Sequence, residues 1–373
     1  MKYLIFLLII FLNYAFSANK YLDNHSCDEC HEKIYSEFQS SRHSKGYFND
    51  ELHRKVADKV SRKKYSCATC HMPMANNIKE LISGEARPDK NNKTHTDAIS
   101  CYFCHTIAYV RSSHKFNINT KARQAKGEKP TLYGRLTNPD DSDKHASVNS
   151  PIYTKNACIG CHSHKLNDNN VTIFRAMNPK QNSESCVKCH MPELEGGNEK
   201  INKKTRSNHA SHKFLGIFDA KFRATGMDIN ITATKNSIEV LLTNKMDHPI
   251  IVQPARAKYL EIKVIRDKKV IWKNYDKKPS EDKKAFFEYT FADKDGKQVI
   301  IPSHATKNLR INNIEAYESK ALIYNKIKLE KGDIIKASMY VNISKKDCTK
   351  VVDIKEEKYI KTYLIKSVEI KFN

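Results

Sequence analysis

Ten of the eleven cysteines fall into five copies of one pattern, a Cys pair two residues apart followed directly by His. The copies are Cys27-Asp28-Glu29-Cys30-His31, Cys67-Ala68-Thr69-Cys70-His71, Cys101-Tyr102-Phe103-Cys104-His105, Cys158-Ile159-Gly160-Cys161-His162 and Cys186-Val187-Lys188-Cys189-His190. This spacing lets two thiols add to the two vinyl groups of one haem, and the adjacent His then lies under the ring as proximal iron ligand. Other uses of paired cysteines fit poorly. A zinc site takes four ligands, so CxxC units come in pairs; five leave one over, and a His follows every one. A redox dithiol occurs once per domain in a βαβ setting that is absent here. Paired disulfides would leave the five histidines without a purpose. The sequence therefore predicts five covalently bound c-type haems. Cys27, Cys30, Cys67, Cys70, Cys101, Cys104, Cys158, Cys161, Cys186 and Cys189 attach them, and His31, His71, His105, His162 and His190 are the proximal ligands. Cys348 stands alone and reads as a partly buried thiol with no assigned role.

The first 17 residues read as a signal peptide: Lys2 as the charged start, Leu4–Leu12 as an apolar run, and Ala15 and Ser17 as the small residues before a cleavage point. The run is short of the ~20 residues that span a bilayer, so a cleaved signal is favoured over a permanent anchor. The expected location is the periplasm, with no transmembrane segment after signal removal. The formal net charge is +23, and each c-haem would add negative charge through its propionates. Basic residues are spread evenly along the mature chain, with no arm or stripe of the kind that binds nucleic acid, so no nucleic-acid partner is expected.

A chain of 373 residues has room for two or three domains. In residues 18–213 the haem motifs follow one another too closely for each interval to build its own core, so the haems must supply much of the interior. Short helices and long irregular connections are expected there. Glu32 to Ser40 reads as one helix with Ile34, Tyr35 and Phe38 on its apolar side, and residues 112–150 read as a long loop. From about residue 224 the texture becomes alternating, as in Asp228–Ala233 and Ser237–Leu242. Further runs at Tyr259–Val264, Val270–Trp272, Phe286–Phe291, Ala321–Tyr324, Ile334–Val341 and Tyr363–Phe372 bring the count to seven or eight strands. The fold class predicted is multidomain α+β. A multihaem cytochrome domain of short helices and loops (18–213) precedes an all-β sandwich of the immunoglobulin or fibronectin kind (214–373).

Eleven histidines remain after the proximal five, enough to give every iron a second imidazole. Met72, Met74, Met177 and Met191 are alternative soft ligands, although such residues more often pack against rings. Several short stretches carry a resemblance. Cys27–His31 followed by Ile34, Phe38, Ser41 and His43 resembles the opening of cytochrome c-554-type multihaem proteins, with Phe38 where that family usually has Trp. Ile99–Ile107, the two Cys-His-Met-Pro segments, and Tyr133-Gly134 followed by His145 and Cys158–His162 are similar to further elements in matching order. Ser211-His212-Lys213-Phe214-Leu215-Gly216 resembles the segment joining haem and β regions. Asn244, His248-Pro249, Pro254 and Arg256 are similar to a signature of the β domain, with Asp247 replacing a Gly. The resemblance implies distal roles for His43, His95, His145 and His212, with His248 as a fifth candidate.

Function follows from the cofactor count. Five closely spaced six-coordinate haems suit an exported electron carrier between redox partner proteins of an anaerobic-type respiratory chain, a membrane quinol-oxidising cytochrome being one such partner. The alternative is a terminal reductase of a small nitrogen or sulfur oxyanion, which needs one open iron with cationic and acid–base neighbours. No Lys replaces a motif His, unlike in pentahaem nitrite reductases. The β region also suits a docking role compatible with the carrier. Oligomeric state, donor and acceptor are not legible in the sequence.

Overall fold

The structure is a computed structural model that describes residues 22–111, 116–120, 129–140, 142–155, 157–178, 186–196, 206–250 and 253–373. Residues 1–17, read above as a signal peptide, and His114 lie outside them. Among the described residues, no helix is long and apolar enough to cross a membrane. The chain divides into two compact units: one of residues Met1–Asn49, Lys63–Cys161 and Ser185–Phe214, the other of Asp50–Arg62, His162–Glu184 and Leu215–Asn373. The division passes between Cys161 and His162, inside the fourth motif.

The first unit is built from short helices, among them Asn24–Asp28, Glu32–Ser40, Ala68–His71, Ile78–Ser83, Cys101–His105 and Cys186–His190. Side-chain caps start several of them. Asp23 accepts from the Ser26 N–H, and Ser100, fully buried, accepts from the Phe103 N–H at the head of the third motif. Such caps satisfy N–H groups that a helix of one or two turns cannot pair itself. Buried apolar side chains here are few: Phe38, Tyr47, Tyr65, Ala68, Met72, Leu81, Tyr102, Phe103 and Ile107 are the main ones. Residues 112–150, expected as loop, contain the strands Phe116–Asn119, Thr131–Gly134 and Ala146–Asn149. The first pairs with Ile107–Arg111, and the other two lie parallel to each other. These strands are only four residues long and mostly half-buried, so they leave little alternation in the sequence.

The second unit holds ten strands beyond residue 226: β1 (Met227–Thr234), β2 (Ser237–Asn244), β3 (Ala257–Arg266), β4 (Lys269–Lys273), β5 (Phe286–Ala292), β6 (Gln298–Val299), β7 (Lys307–Asn312), β8 (Ser319–Asn325), β9 (Ile334–Asn342) and β10 (Thr362–Lys371). They form a three-stranded sheet, β8-β2-β1, and a seven-stranded sheet, β6-β5-β3-β9-β10, with β4 added to β3 and β7 to β5. The short helices of the first unit and these antiparallel sheets make the molecule the α+β multidomain protein the sequence predicts. Alternation drives the packing. Ile238, Val240 and Leu242 of β2 and Leu260, Ile262 and Val264 of β3 turn inward and are buried, and both sheets contribute to one hydrophobic cluster. Register carries the pattern across strands, with Leu260 opposite Met339, Ile262 opposite Ala337 and Val264 opposite Ile335. The strands β6 and β7 are absent from the sequence reading. β7 exposes Leu309 and Ile311 on the same side and is polar between them, so no buried face marks it.

Two segments from the first half of the chain belong to this strand-rich unit rather than to the haem-motif unit. The helix Glu51–Val60 is held by Glu51, whose carboxylate accepts from the N–H groups of Lys355 and Glu356, and by Asp50, which accepts from the Tyr359 hydroxyl at 2.9 Å. The hairpin His164–Leu166/Thr172–Arg175 is held through Asn167, whose side-chain N–H donates to the carbonyls of Pro302 and Ala305. A single cut at residue 213/214 therefore does not describe the units, because both attachments are made between residues far apart in the chain.

Candidate haem centres

All ten motif cysteines are free thiols in the structure, as haem attachment requires. Four of the five motifs coil into a single helical turn around their His, a fifth (the first) into the turn that precedes it. The turn brings both sulfurs of a motif to one side of the chain. Packing then pairs the motifs. The Cys27 and Cys101 thiols hydrogen-bond to one another, which lowers the first and raises the second. The Cys158 and Cys186 thiols make the same contact, and Cys158 is raised. Burial pushes the Cys104 thiol up to about 12. Asn24 builds the contact between the first and third motifs. Its backbone N–H donates to the Asp97 carboxylate, its side-chain N–H to the Asp97 carbonyl, and its Oδ1 accepts from the Cys101 N–H at 2.9 Å.

Two pairs of imidazoles face each other. His31 and His145 have ring centres 6.3 Å apart with planes 27° apart, and His105 and His212 have centres 6.2 Å apart with planes 21° apart. Two imidazoles sharing one metal need about this span, since each metal–nitrogen bond is about 2.0–2.1 Å and the ring centre lies roughly 1.1 Å further on. The hydrogen bonds favour the same use. His105 donates from Nδ1 to the Tyr133 carbonyl at 2.8 Å, and His212 donates from Nδ1 to the Ala210 carbonyl at 2.9 Å. A neutral imidazole that donates from Nδ1 carries its lone pair on Nε2, the arrangement of a ligand oriented by a backbone carbonyl. Burial, with His105 adding to it, pushes His212 down to about 4, and burial also lowers His105 and His145. These rings are held neutral, the form that binds iron. The Ser147 hydroxyl meets Nδ1 of His145 at 3.2 Å. The donor set therefore fits c-type haem.

The other histidines singled out by sequence sit differently. His43 is edge-on to Phe214, with ring centres 4.4 Å apart, and Phe214 is also edge-on to His212. His95 is buried, with both nitrogens engaged: Nδ1 accepts from the Asp89 N–H, and Nε2 lies 2.7 Å from Asn77 Oδ1. Iron ligation by His95 would require the Asn77 bond to open. His248, in the strand-rich unit, turns Nδ1 to the Pro249 carbonyl at 2.9 Å, the same orientation that His105 and His212 show. His162 has Phe174 at 6.2 Å. His71 and His190 close their motif helices.

Sequence reading missed three groups around the His105–His212 pair. Glu37, on the helix after the first motif, is buried; its carboxylate accepts from the His212 N–H at 2.8 Å and lies 3.1 Å from His209 Nε2. His209 has its other nitrogen on the Gly196 carbonyl, so both its nitrogens are taken. Tyr153 stacks on His105 at 6.0 Å and donates its hydroxyl to the Cys104 carbonyl at 2.6 Å.

Free thiol pairs on one-turn helices, each followed by His, together with matched imidazoles of fixed tautomer, define a multihaem c-type cytochrome with covalently bound haem. Comparison with known proteins agrees. The family described as cytochrome c554 and c-prime matches residues 26–106, the stretch that holds the first three motifs. The solved structure of a penta-heme cytochrome c552 from Thermochromatium tepidum is similar over 94% of this chain and 99% of that one, with a TM-score of 0.74 at 20% identity. A likeness at that identity is one of fold. No curated protein matches the chain.

Proposed function

We propose that this protein is an exported, periplasmic cytochrome with five c-type haems that carries electrons between redox partner proteins, a membrane quinol-oxidising cytochrome among them. The observation that carries the reading is the pair of facing imidazole couples, His31 with His145 and His105 with His212. A haem iron held from both sides has no open position for substrate and serves one-electron transfer. His31 and His105 are the proximal ligands of their own motifs, and His145 and His212 the distal ones. His43, His95 and His248 are the candidates for the haems of His71, His162 and His190; His248 is favoured over His95 by its Nδ1 orientation.

The c-haem supplies a reversible one-electron iron couple when bound. The chain's own residues do the rest. The Tyr133 and Ala210 carbonyls fix the tautomers of His105 and His212. Glu37 anchors the backbone of His212. The sulfur contacts Cys27–Cys101 and Cys158–Cys186 set the attachment points of the first and third haems, and of the fourth and fifth, next to each other. Neighbouring attachment points suit a carrier, in which electrons must pass from haem to haem.

Low-temperature EPR of the oxidised holoprotein tests the reading. Only low-spin signals are expected. A high-spin haem, with steady turnover of nitrite, hydroxylamine, sulfite or tetrathionate that stops when a residue beside that haem is changed, would replace the carrier by the reductase alternative.

A further inference from the structure

We infer that one end of the strand-rich unit, where the β3–β4 hairpin turns, binds the surface of a bilayer rich in anionic lipid. Register brings an apolar row to the outer face of the seven-stranded sheet there. Val264 of β3 and Ile335 of β9 turn inward and are buried, so Ile265 and Ile334, beside them along their strands, turn outward. Ile265 lies opposite Val270 on β4 and opposite Ile334 on β9. Side chains directly opposite one another share a face, so three aliphatic residues cross three neighbouring strands, a span of about 10 Å. The register shift between Val264 and Ile265 gives β4 one residue more than β3, and Ile271 is that residue. Alternation breaks at this bulge, and Val270 and Ile271 are both exposed, at 54% and 46%; Ile334 is 37% exposed. Single exposed aliphatic residues are ordinary, whereas a joined set marks a contact surface.

The charge around the row is positive. Arg266 engages two of the acids, donating to Asp333 at 2.8 and 2.9 Å and to Glu330 at 2.6 Å. Asp267 is the only other acid in residues 265–271 and 328–334. Lys268, Lys269, Lys328, Lys331 and Lys371 are exposed, and among the described residues none has a carboxylate within ion-pair distance. Each stands close to the row. Asp267 and Lys268, with φ of 50° and 63°, make the tight turn of the hairpin. Lys371 lies opposite Ile334, and the Lys328 carbonyl accepts from Arg266 at 3.2 Å. Aliphatic side chains ringed by lysine suit a bilayer interface. The apolar groups enter between the headgroups while the ammonium groups meet lipid phosphates, each lysine strengthening binding about fivefold. A protein contact is served less well. Protein interfaces centre on Trp, Tyr and Arg and are poor in Lys. Here the one arginine is engaged inside the unit, and Trp272 packs against the core, with Tyr324 at 5.5 Å.

The inference stands on the strand-rich unit alone and does not depend on the haem count. The full-length holoprotein is sedimented at low salt with vesicles of phosphatidylcholine, and with vesicles of phosphatidylcholine and phosphatidylglycerol in equal parts. Wild type should bind the mixed vesicles, not phosphatidylcholine alone, and should come off as salt rises. Val270→Ser/Ile271→Ser keeps the net charge and should weaken binding about tenfold. Lys268→Gln/Lys269→Gln should weaken it about twentyfold. Lys294→Gln/Lys297→Gln removes the same charge beyond the end of β5, which lies past the start of β3 and so at the opposite end of the sheet, and should bind like wild type. All these positions are exposed, and haem content with melting temperature checks that each variant is folded. Wild type that binds neither kind of vesicle overturns the inference. So does an equal loss in the two lysine variants, or full binding by Val270→Ser/Ile271→Ser, since either reduces the binding to the net charge of +23. Retention of wild type on immobilised poly-L-glutamate, lost in the hairpin variants and without binding to vesicles, would assign the surface to an acidic protein instead.

Discussion

His105 and His212 stand with ring centres 6.2 Å apart, and each donates its Nδ1 proton to a backbone carbonyl, of Tyr133 and Ala210 respectively. The two carbonyls turn both Nε2 lone pairs away from the hydrogen bonds, so the pair is organised before any metal arrives. Changing His212→Ala should convert one haem from low to high spin and leave four unchanged, and cyanide or carbon monoxide should then bind that haem. An unaltered spectrum with full haem content would show that another group holds the sixth position.

His145→Ala should act in the same way on the haem of the first motif, since its ring faces His31 at 6.3 Å. The double change His145→Ala/His212→Ala should give two high-spin haems, because the two couples use different residues. A single high-spin signal in the double variant would mean that one of the two histidines does not hold an iron.

Glu37→Gln should weaken the fold by about 1–3 kcal/mol at neutral pH, the cost of disturbing a buried carboxylate that accepts charge-assisted hydrogen bonds. Burial alone would raise Glu37, but the His212 N–H and His209 outweigh it, and its value is lowered. A carboxylate depressed in the folded state stabilises fully above its unfolded value, about 4.3, and that contribution is lost as pH falls through the lower folded value. Wild type and Glu37→Gln should therefore differ most in melting temperature at neutral pH and converge in acid. A gap independent of pH would show that the carboxylate charge is not what matters.

Ser100→Ala should cost about 1 kcal/mol through the lost cap on the third motif helix, and Asn24→Ala should cost more because two side-chain hydrogen bonds of this buried residue go with it. Thermal melts of the two holoproteins measure the difference. The order would be reversed if the Asn24 contacts were exposed to water and replaceable.

Electron exchange with a partner protein should slow as salt rises, because a chain of formal charge +23 steers association with an acidic surface over a Debye length of about 8–10 Å. Stopped-flow rates at rising sodium chloride concentration measure this. Rates that do not change with salt would remove charge steering from the account.

The sequence alone determines the attachment chemistry. CxxCH is a five-residue unit whose function needs no distant partner, so Cys27 to His31 and its four counterparts are legible from the chain. The inward rows of β2 and β3 are legible for a similar reason: strict alternation at Ile238, Val240 and Leu242 reports a half-buried strand without knowledge of its neighbours. Where alternation is missing, as in the four-residue strands after residue 115, the strands are not legible, and β7 alternates at Leu309 and Ile311 but leaves both exposed. Tertiary structure decided the rest. The resemblance offers four candidates for a distal role without saying which motif each faces, and only packing sets His145 before His31 and His212 before His105, while Asn77 engages His95. Glu37 looks like any surface glutamate of a short helix until the turn at Ala210–His212 covers it. Glu51 and Asn167 draw their segments into the strand-rich unit by hydrogen bonds to residues far along the chain. Local chemistry is written in short motifs, whereas a second axial ligand or a buried carboxylate exists only where the folded chain brings distant residues to one place.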